Sequence, residues 1–193
     1  MAGRWQRLFD GAEAVSRGAA WVAGALLLGA AAWIGVEVLV RKLLGISTQG
    51  STEISSYVLA LSTAWALPYT LLRKAHVRVD VLVARLPLAG RAAFHLVALF
   101  VLLTFVLPLA YFGWGVAWAS FVRRTAANTV LGTPLWIPQG LWMLGLVAFA
   151  LVLLLITVRV VGLMARQDYA GVERLAGLGG SAEEPAAKGA KRG

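Results

Sequence analysis

Four apolar runs, separated by short polar stretches, set the pattern of this chain. They cover roughly residues 19–40, 53–72, 92–121 and 138–161. An apolar run of about 20 residues forms a helix that reaches across a hydrocarbon core of roughly 30 Å. The pattern predicts an all-α integral membrane protein with four transmembrane helices, a membrane domain over 19–161. The second run is the least apolar, with Ser55, Ser56, Ser62, Thr63 and Thr70. Small and hydroxylated residues in a span mark a face packed on protein rather than on lipid. Pro68 predicts a bend in the second run and Pro108 a kink in the third. Trp114 and Trp118 suit an outer aromatic belt, and Trp142 falls in the first turn of the fourth run.

The polar stretches carry the remaining organisation. Residues 1–18 mix Arg4, Arg7, Asp10, Glu13 and Arg17 with Trp5, Leu8, Phe9, Ala12 and Val15 at roughly helical spacing. Two readings stand for them: an amphipathic helix in the membrane interface, or a solvated tail. The first apolar run is too long for the core of a signal peptide and reads as a retained span. Ser51 or Thr52 can cap the second helix, with Glu53 in its first turn as a dipole partner. The central stretch 73–91 predicts a short interfacial helix that begins near Asp80 and is ended by Pro87 and Gly90. Pro134, Trp136 and Pro138 suit an ordered re-entry into the membrane. The tail over 162–193 is rich in Gly and Ala, and disorder is expected from about Gly177.

Composition agrees with the pattern. The chain has 193 residues, 60% of them hydrophobic, where soluble domains run nearer 45–50% apolar. The net charge of +9 would suggest nucleic acid on a soluble protein, but here the cations sit mainly in loops and tails, so no nucleic-acid partner is expected. The N-terminal segment holds three Lys/Arg, the central loop five and the part from Arg159 onward six, against two in each of the other loops. By the positive-inside rule both termini and the central loop are cytoplasmic. There is no Cys, hence no disulfide and no thiolate chemistry.

Candidate chemistry is sparse. The two His and nine acids show no metal-ligand spacing, nucleophile elbow or phosphate-cradling loop, so no catalytic, metal or cofactor site is expected. Glu37 lies about one turn before the end of the first run, with Arg41 four residues on. An acid that deep is either a functional group or one half of a local Glu37–Arg41 pair. Glu53 can also meet Arg41 across the short loop. His95, near an interface, reads as a hydrogen-bonded surface or packing residue. Asp80 is compensated by Arg78, Arg85 and Arg91.

From Arg41 to Leu86 the chain resembles the small membrane subunit of tripartite ATP-independent periplasmic (TRAP) transporters, the DctQ-like family. The resemblance rests on Arg41 after the first helix, Glu53 opening the second, Arg73-Lys74, and His76-Val77-Arg78-Val79-Asp80-Val81-Leu82. Leu86-Pro87 and Pro134-Leu135-Trp136-Ile137-Pro138 add to it. Members often have a second acid beside the one at Glu53 and a Gly within the second helix; here Ile54 follows Glu53, and Trp65 and Ala66 occupy the Gly region. The resemblance implies a scaffold in the bacterial inner membrane, paired with a large permease subunit. A periplasmic substrate-binding protein would deliver a carboxylate-type solute, and a sodium or proton gradient would drive its symport. Glu37, Arg41, Glu53, Arg73, Lys74, His76, Arg78 and Asp80 are then candidates for orienting helices or for contacting the partner subunit or membrane lipids. Two other readings remain: an independent small transporter or channel, and a membrane anchor of a redox complex. No internal repeat with broken helices supports the former, and with His76 in a loop and His95 at an interface no His stands where a haem of the latter would need its axial ligand.

Overall fold

The computed structural model describes residues 2–45, 50–74, 85–129 and 131–177. Among these the regular elements are helices: α1 (Ala2–Leu44), α2 (Ser51–Leu72), α3 (Leu88–Val122), α4 (Trp136–Ala165) and the short α5 (Tyr169–Ala176). No strand occurs among the described residues, only an isolated bridge between Ala126 and Pro134 in the α3–α4 loop. Three of the helices, Trp5–Leu44 of α1, α3 and α4, are long and apolar enough to cross a membrane. With 22 residues, α2 is about 33 Å long at 1.5 Å per residue, but its hydroxyl-bearing residues dilute its apolarity.

Several boundaries differ from the sequence expectation. The polar segment before the first run is helical and continuous with it, because no proline or helix-ending signal intervenes before Gly45, whose φ of +68° closes α1. The cap of α2 is Gly50, whose carbonyl accepts the Ile54 N–H at 3.1 Å, and not Ser51 or Thr52. A side chain at Gly50 would meet the end of the Leu131 side chain at 2.9 Å, a contact that the exposed Leu131 can relieve by turning away. The interfacial helix expected within 73–91 falls largely on residues 75–84, outside the described residues. At its far edge Pro87 opens a helix rather than ending one. Its carbonyl accepts the Arg91 N–H at 3.0 Å, and Gly90 lies inside the first turn of α3. Beyond α4, Asp168 caps α5 by accepting the Gly171 N–H at 2.8 Å.

The described contacts form two compact units. One comprises Met1–Tyr69 with Val106–Ala150. Along α1 its buried Ser16, Ala23 and Glu37 and its half-buried Ala30 fall at multiples of seven residues, on one line. On that line Ser62 of α2 donates to the carbonyl of Ala23 at 3.0 Å. The Trp65 indole N–H donates to the Leu141 carbonyl of α4 at 3.0 Å. A side chain at Gly145 would stand 3.0 Å from Ala64 and Trp65. The second unit comprises Thr70–Phe105 with Leu151–Gly193. Its core is Leu71, Ala92, Leu99 and Leu103, Leu153, Ile156, Val160 and Leu163, and Val172 with Ala176. The spacing by three and four puts each set on one helix face.

Candidate functional site

The polar groups gather at helix ends. Glu53, in the first turn of α2, is 8% exposed. Tyr57, one turn on, donates its hydroxyl to Oε1 at 2.9 Å. Thr129 of the α3–α4 loop donates to Oε2, and Thr133 adds hydrogen bonds from its side chain and its backbone N–H. The loop is shaped for this. Arg124 closes α3 at a φ of +51°. Backbone bonds from Ala127 N–H to Thr133 O at 2.9 Å and from Leu135 N–H to Thr125 O at 3.0 Å then fold 125–135 back on itself. Among the described residues Glu53 is held by hydroxyls and amide groups, and the expected contact with Arg41 is not formed. Its role here is to tie the start of α2 to the loop before α4.

Glu37 is 6% exposed and Arg41 is exposed. Both line a cavity of about 370 Å³, together with Ser51, Thr52, Ser55 and Ser56 of α2. The Ser55 hydroxyl donates to the carbonyl of Ser51, and the Ser56 hydroxyl to that of Thr52 at 2.7 Å. Their protons are therefore committed to the helix, and their oxygens remain acceptors.

Arg73 and Lys74 follow the last residue of α2. Lys74 has a φ of +55°, and its N–H bonds the Leu71 carbonyl at 3.1 Å. The Lys74 ammonium donates to the carbonyl of Arg174, in the last turn of α5, at 2.6 Å. A cation at a helix C-terminus is favourably placed against the exposed carbonyls. His76, Arg78 and Asp80 lie outside the described residues. His95 is 3% exposed, and its Nε2 lies 3.3 Å from Glu173 Oε2 of α5. The packing role expected for His95 thus has a partner that the sequence reading missed. The signal for it was present: Asp168 is a capping residue, and Val172 and Ala176 follow at helical spacing. Among the described residues no cluster of His and acids could hold a metal ion.

The helix ends that carry Arg41, Glu53 and Arg73-Lys74 fall within a match to one protein family. The family model for tripartite ATP-independent periplasmic transporters, DctQ component, matches residues 30–163. The chain belongs to the DctQ family. It is accordingly a multi-pass membrane protein and the small permease component of a TRAP transporter, a family of transport proteins rather than enzymes. The DctQ match begins inside α1 and ends inside α4, so that α5, with Glu173 and Arg174, lies beyond it. No curated protein and no solved structure matches the chain.

Proposed function

We propose that this DctQ chain is a scaffold against which a large permease subunit works, in the inner membrane of a bacterium. Four helices span, with α2 as the fourth, and both termini and the central loop are cytoplasmic. The observation that carries this reading is what the polar groups of the helices do. Ser62 bonds the Ala23 carbonyl, Trp65 the Leu141 carbonyl and Thr157 the Leu153 carbonyl. They serve packing between and within helices, as a rigid support requires. Substrate and ion sites then belong to the large subunit. The imported solute is a carboxylate, delivered by a periplasmic binding protein and driven by a sodium or proton gradient.

In this reading Glu37, Arg41, Glu53, Arg73, Lys74, His76, Arg78 and Asp80 orient helix ends and contact the large subunit or anionic headgroups. The test is charge reversal at Arg78 or Asp80, with complex recovery and solute uptake measured on the same cells. Loss of complex with parallel loss of uptake is expected. Failed uptake by an intact complex would refute the assignment. The independent-transporter reading makes a different demand: the chain alone, in liposomes, moves solute, and Glu37→Gln stops it.

A further inference from the structure

Where α3 gives way to the loop before α4, a cation stands against an aromatic wall. We propose that this corner binds the phosphate of an anionic glycerophospholipid of the phosphatidylglycerol type, held by the Arg124 guanidinium and the Ala126 N–H. The inference rests on the chain lying in a bilayer with the end of α3 at its surface, the outer surface in the topology proposed above. It does not depend on what the transporter carries.

Phe121, Val122, Arg124, Ala126, Pro134 and Trp136 line a cavity of about 510 Å³, with one cation and no acid among them. Arg124 is exposed, and among the described residues no carboxylate or carbonyl takes its guanidinium. Glu53, the acid tied into the same loop, is already engaged by Tyr57, Thr129 and Thr133. The loop fixes a second donor. Ala126 faces Pro134 in an isolated antiparallel bridge, and the bonds of that bridge are made by the flanking residues, Ala127 N–H to Thr133 O and Leu135 N–H to Thr125 O. In such a pair the two facing residues turn their own backbone groups away from each other. The Ala126 N–H is thus left without a protein acceptor among the described residues, two positions from Arg124. A guanidinium fork and a backbone N–H together suit a phosphate.

The order of the groups selects a lipid over a soluble anion. Phe121 lies three residues before Arg124 and Trp118 three before Phe121, each step about 4.5 Å along a helix. The Phe121 ring centroid is 5.9 Å from that of Trp118 and 5.6 Å from that of Trp136, and all three rings are exposed. From the loop into α3 the sequence is therefore cation first, aromatic wall second. A phospholipid presents its phosphate and then its glycerol and acyl chains in the same direction. Tryptophan rings favour this depth. A soluble anion would leave the wall uncovered. The ammonium of a zwitterionic headgroup would approach Arg123 and Arg124 and meet no acid in the cavity. A glycerol headgroup brings no charge, and its hydroxyls can donate to the outward carbonyl of Ala126.

The experiment is hydrogen exchange of the full chain in nanodiscs of dioleoyl phosphatidylcholine, with and without dioleoyl phosphatidylglycerol. The Ala126 amide is expected to exchange about tenfold more slowly when phosphatidylglycerol is present, the effect of a hydrogen bond to a charged group. Arg124→Gln should abolish that slowing. Arg123→Gln removes an equal charge outside the cavity lining and should keep most of it. Protection around Leu99 and Leu103, buried in α3, reports that each variant is folded. If Arg124→Gln fails to fold, the unaltered chain in the two nanodiscs still decides. Equal exchange with and without phosphatidylglycerol would overturn the proposal, as would undiminished slowing in folded Arg124→Gln. Equal loss in the two variants would reduce the effect to bulk charge and overturn it too. So would the same slowing by soluble glycerol phosphate, at a concentration equal to the lipid, in phosphatidylcholine nanodiscs, which would make the ligand a free solute.

Discussion

Gly145→Ala puts the packing of α2 on α4 to a quantitative test. The added Cβ would lie 3.0 Å from the Ala64 backbone carbon, the Ala64 Cβ and Trp65 Cδ1. Carbon atoms prefer roughly 3.5–4.0 Å. The neighbours have little room to yield: two of the three atoms are backbone or directly attached to it. The third belongs to an indole pinned by its bond to the Leu141 carbonyl at 3.0 Å. Overpacking of this kind costs about 1–3 kcal/mol. Replacing glycine by alanine in a helix contributes about 1 kcal/mol in the opposite direction, so the bare sign of the change is a poor readout. Gly115→Ala supplies the reference. Gly115 lies inside α3 with nothing within 4 Å of its Cβ position, and there the propensity gain acts alone. The difference between the two variants isolates the overpacking, about 2 kcal/mol in mid-range. At about 2–4 °C per kcal/mol for a chain of this size, Gly145→Ala should unfold about 4–8 °C below Gly115→Ala. The assay is thermal unfolding of the purified chain in one detergent, followed by circular dichroism. A Gly145→Ala midpoint at or above that of Gly115→Ala would refute the close α2–α4 approach.

Glu53→Gln should loosen the α3–α4 loop, because one acceptor oxygen facing Thr129 and Thr133 becomes an amide donor; faster hydrogen exchange over 125–135 is the readout, and unchanged protection would remove Glu53 as the tie. Glu173→Gln weakens the contact with His95 and should raise exchange within α5 by up to about fivefold, the equivalent of roughly 1 kcal/mol, while the core around Leu153 and Val160 stays protected. The chain lacks cysteine, so single Cys probes report topology directly. Arg123→Cys should react with a membrane-impermeant maleimide added to intact spheroplasts and Arg73→Cys should not; reaction at both positions would contradict the proposed topology, in which α2 is a span.

Much of this molecule was legible because its strongest signal is length of apolar run. Such a run leaves little choice but helix, and α3 and α4 follow within a few residues. What the pattern could not give was where a helix stops inside polar sequence. The segment before Ala19 carries charges at helical spacing that suit a tail as well as a helix, and the missing stop signal decided it. Pro87 was ambiguous for a different reason: proline ends one helix and opens the next with equal ease, and only the Arg91 to Pro87 bond tells which. The partners of Glu53 were out of reach, because Thr129 and Thr133 lie some 76 and 80 positions away and resemble any loop threonine. The missing Gly near Trp65 was legible as a departure from the family. The close approach of α2 at Gly145 was not, since a contact with a facing helix leaves no trace in local sequence.

The central claim is that this chain supports a larger permease. It is tested most directly by tagging the chain, extracting it from native membranes in mild detergent and identifying by mass spectrometry what accompanies it. The account predicts a large multi-span permease in one-to-one amount, lost together with uptake when Arg78 or Asp80 is reversed in charge. Recovery of the chain alone, as a stable monomer or homo-oligomer, would contradict it.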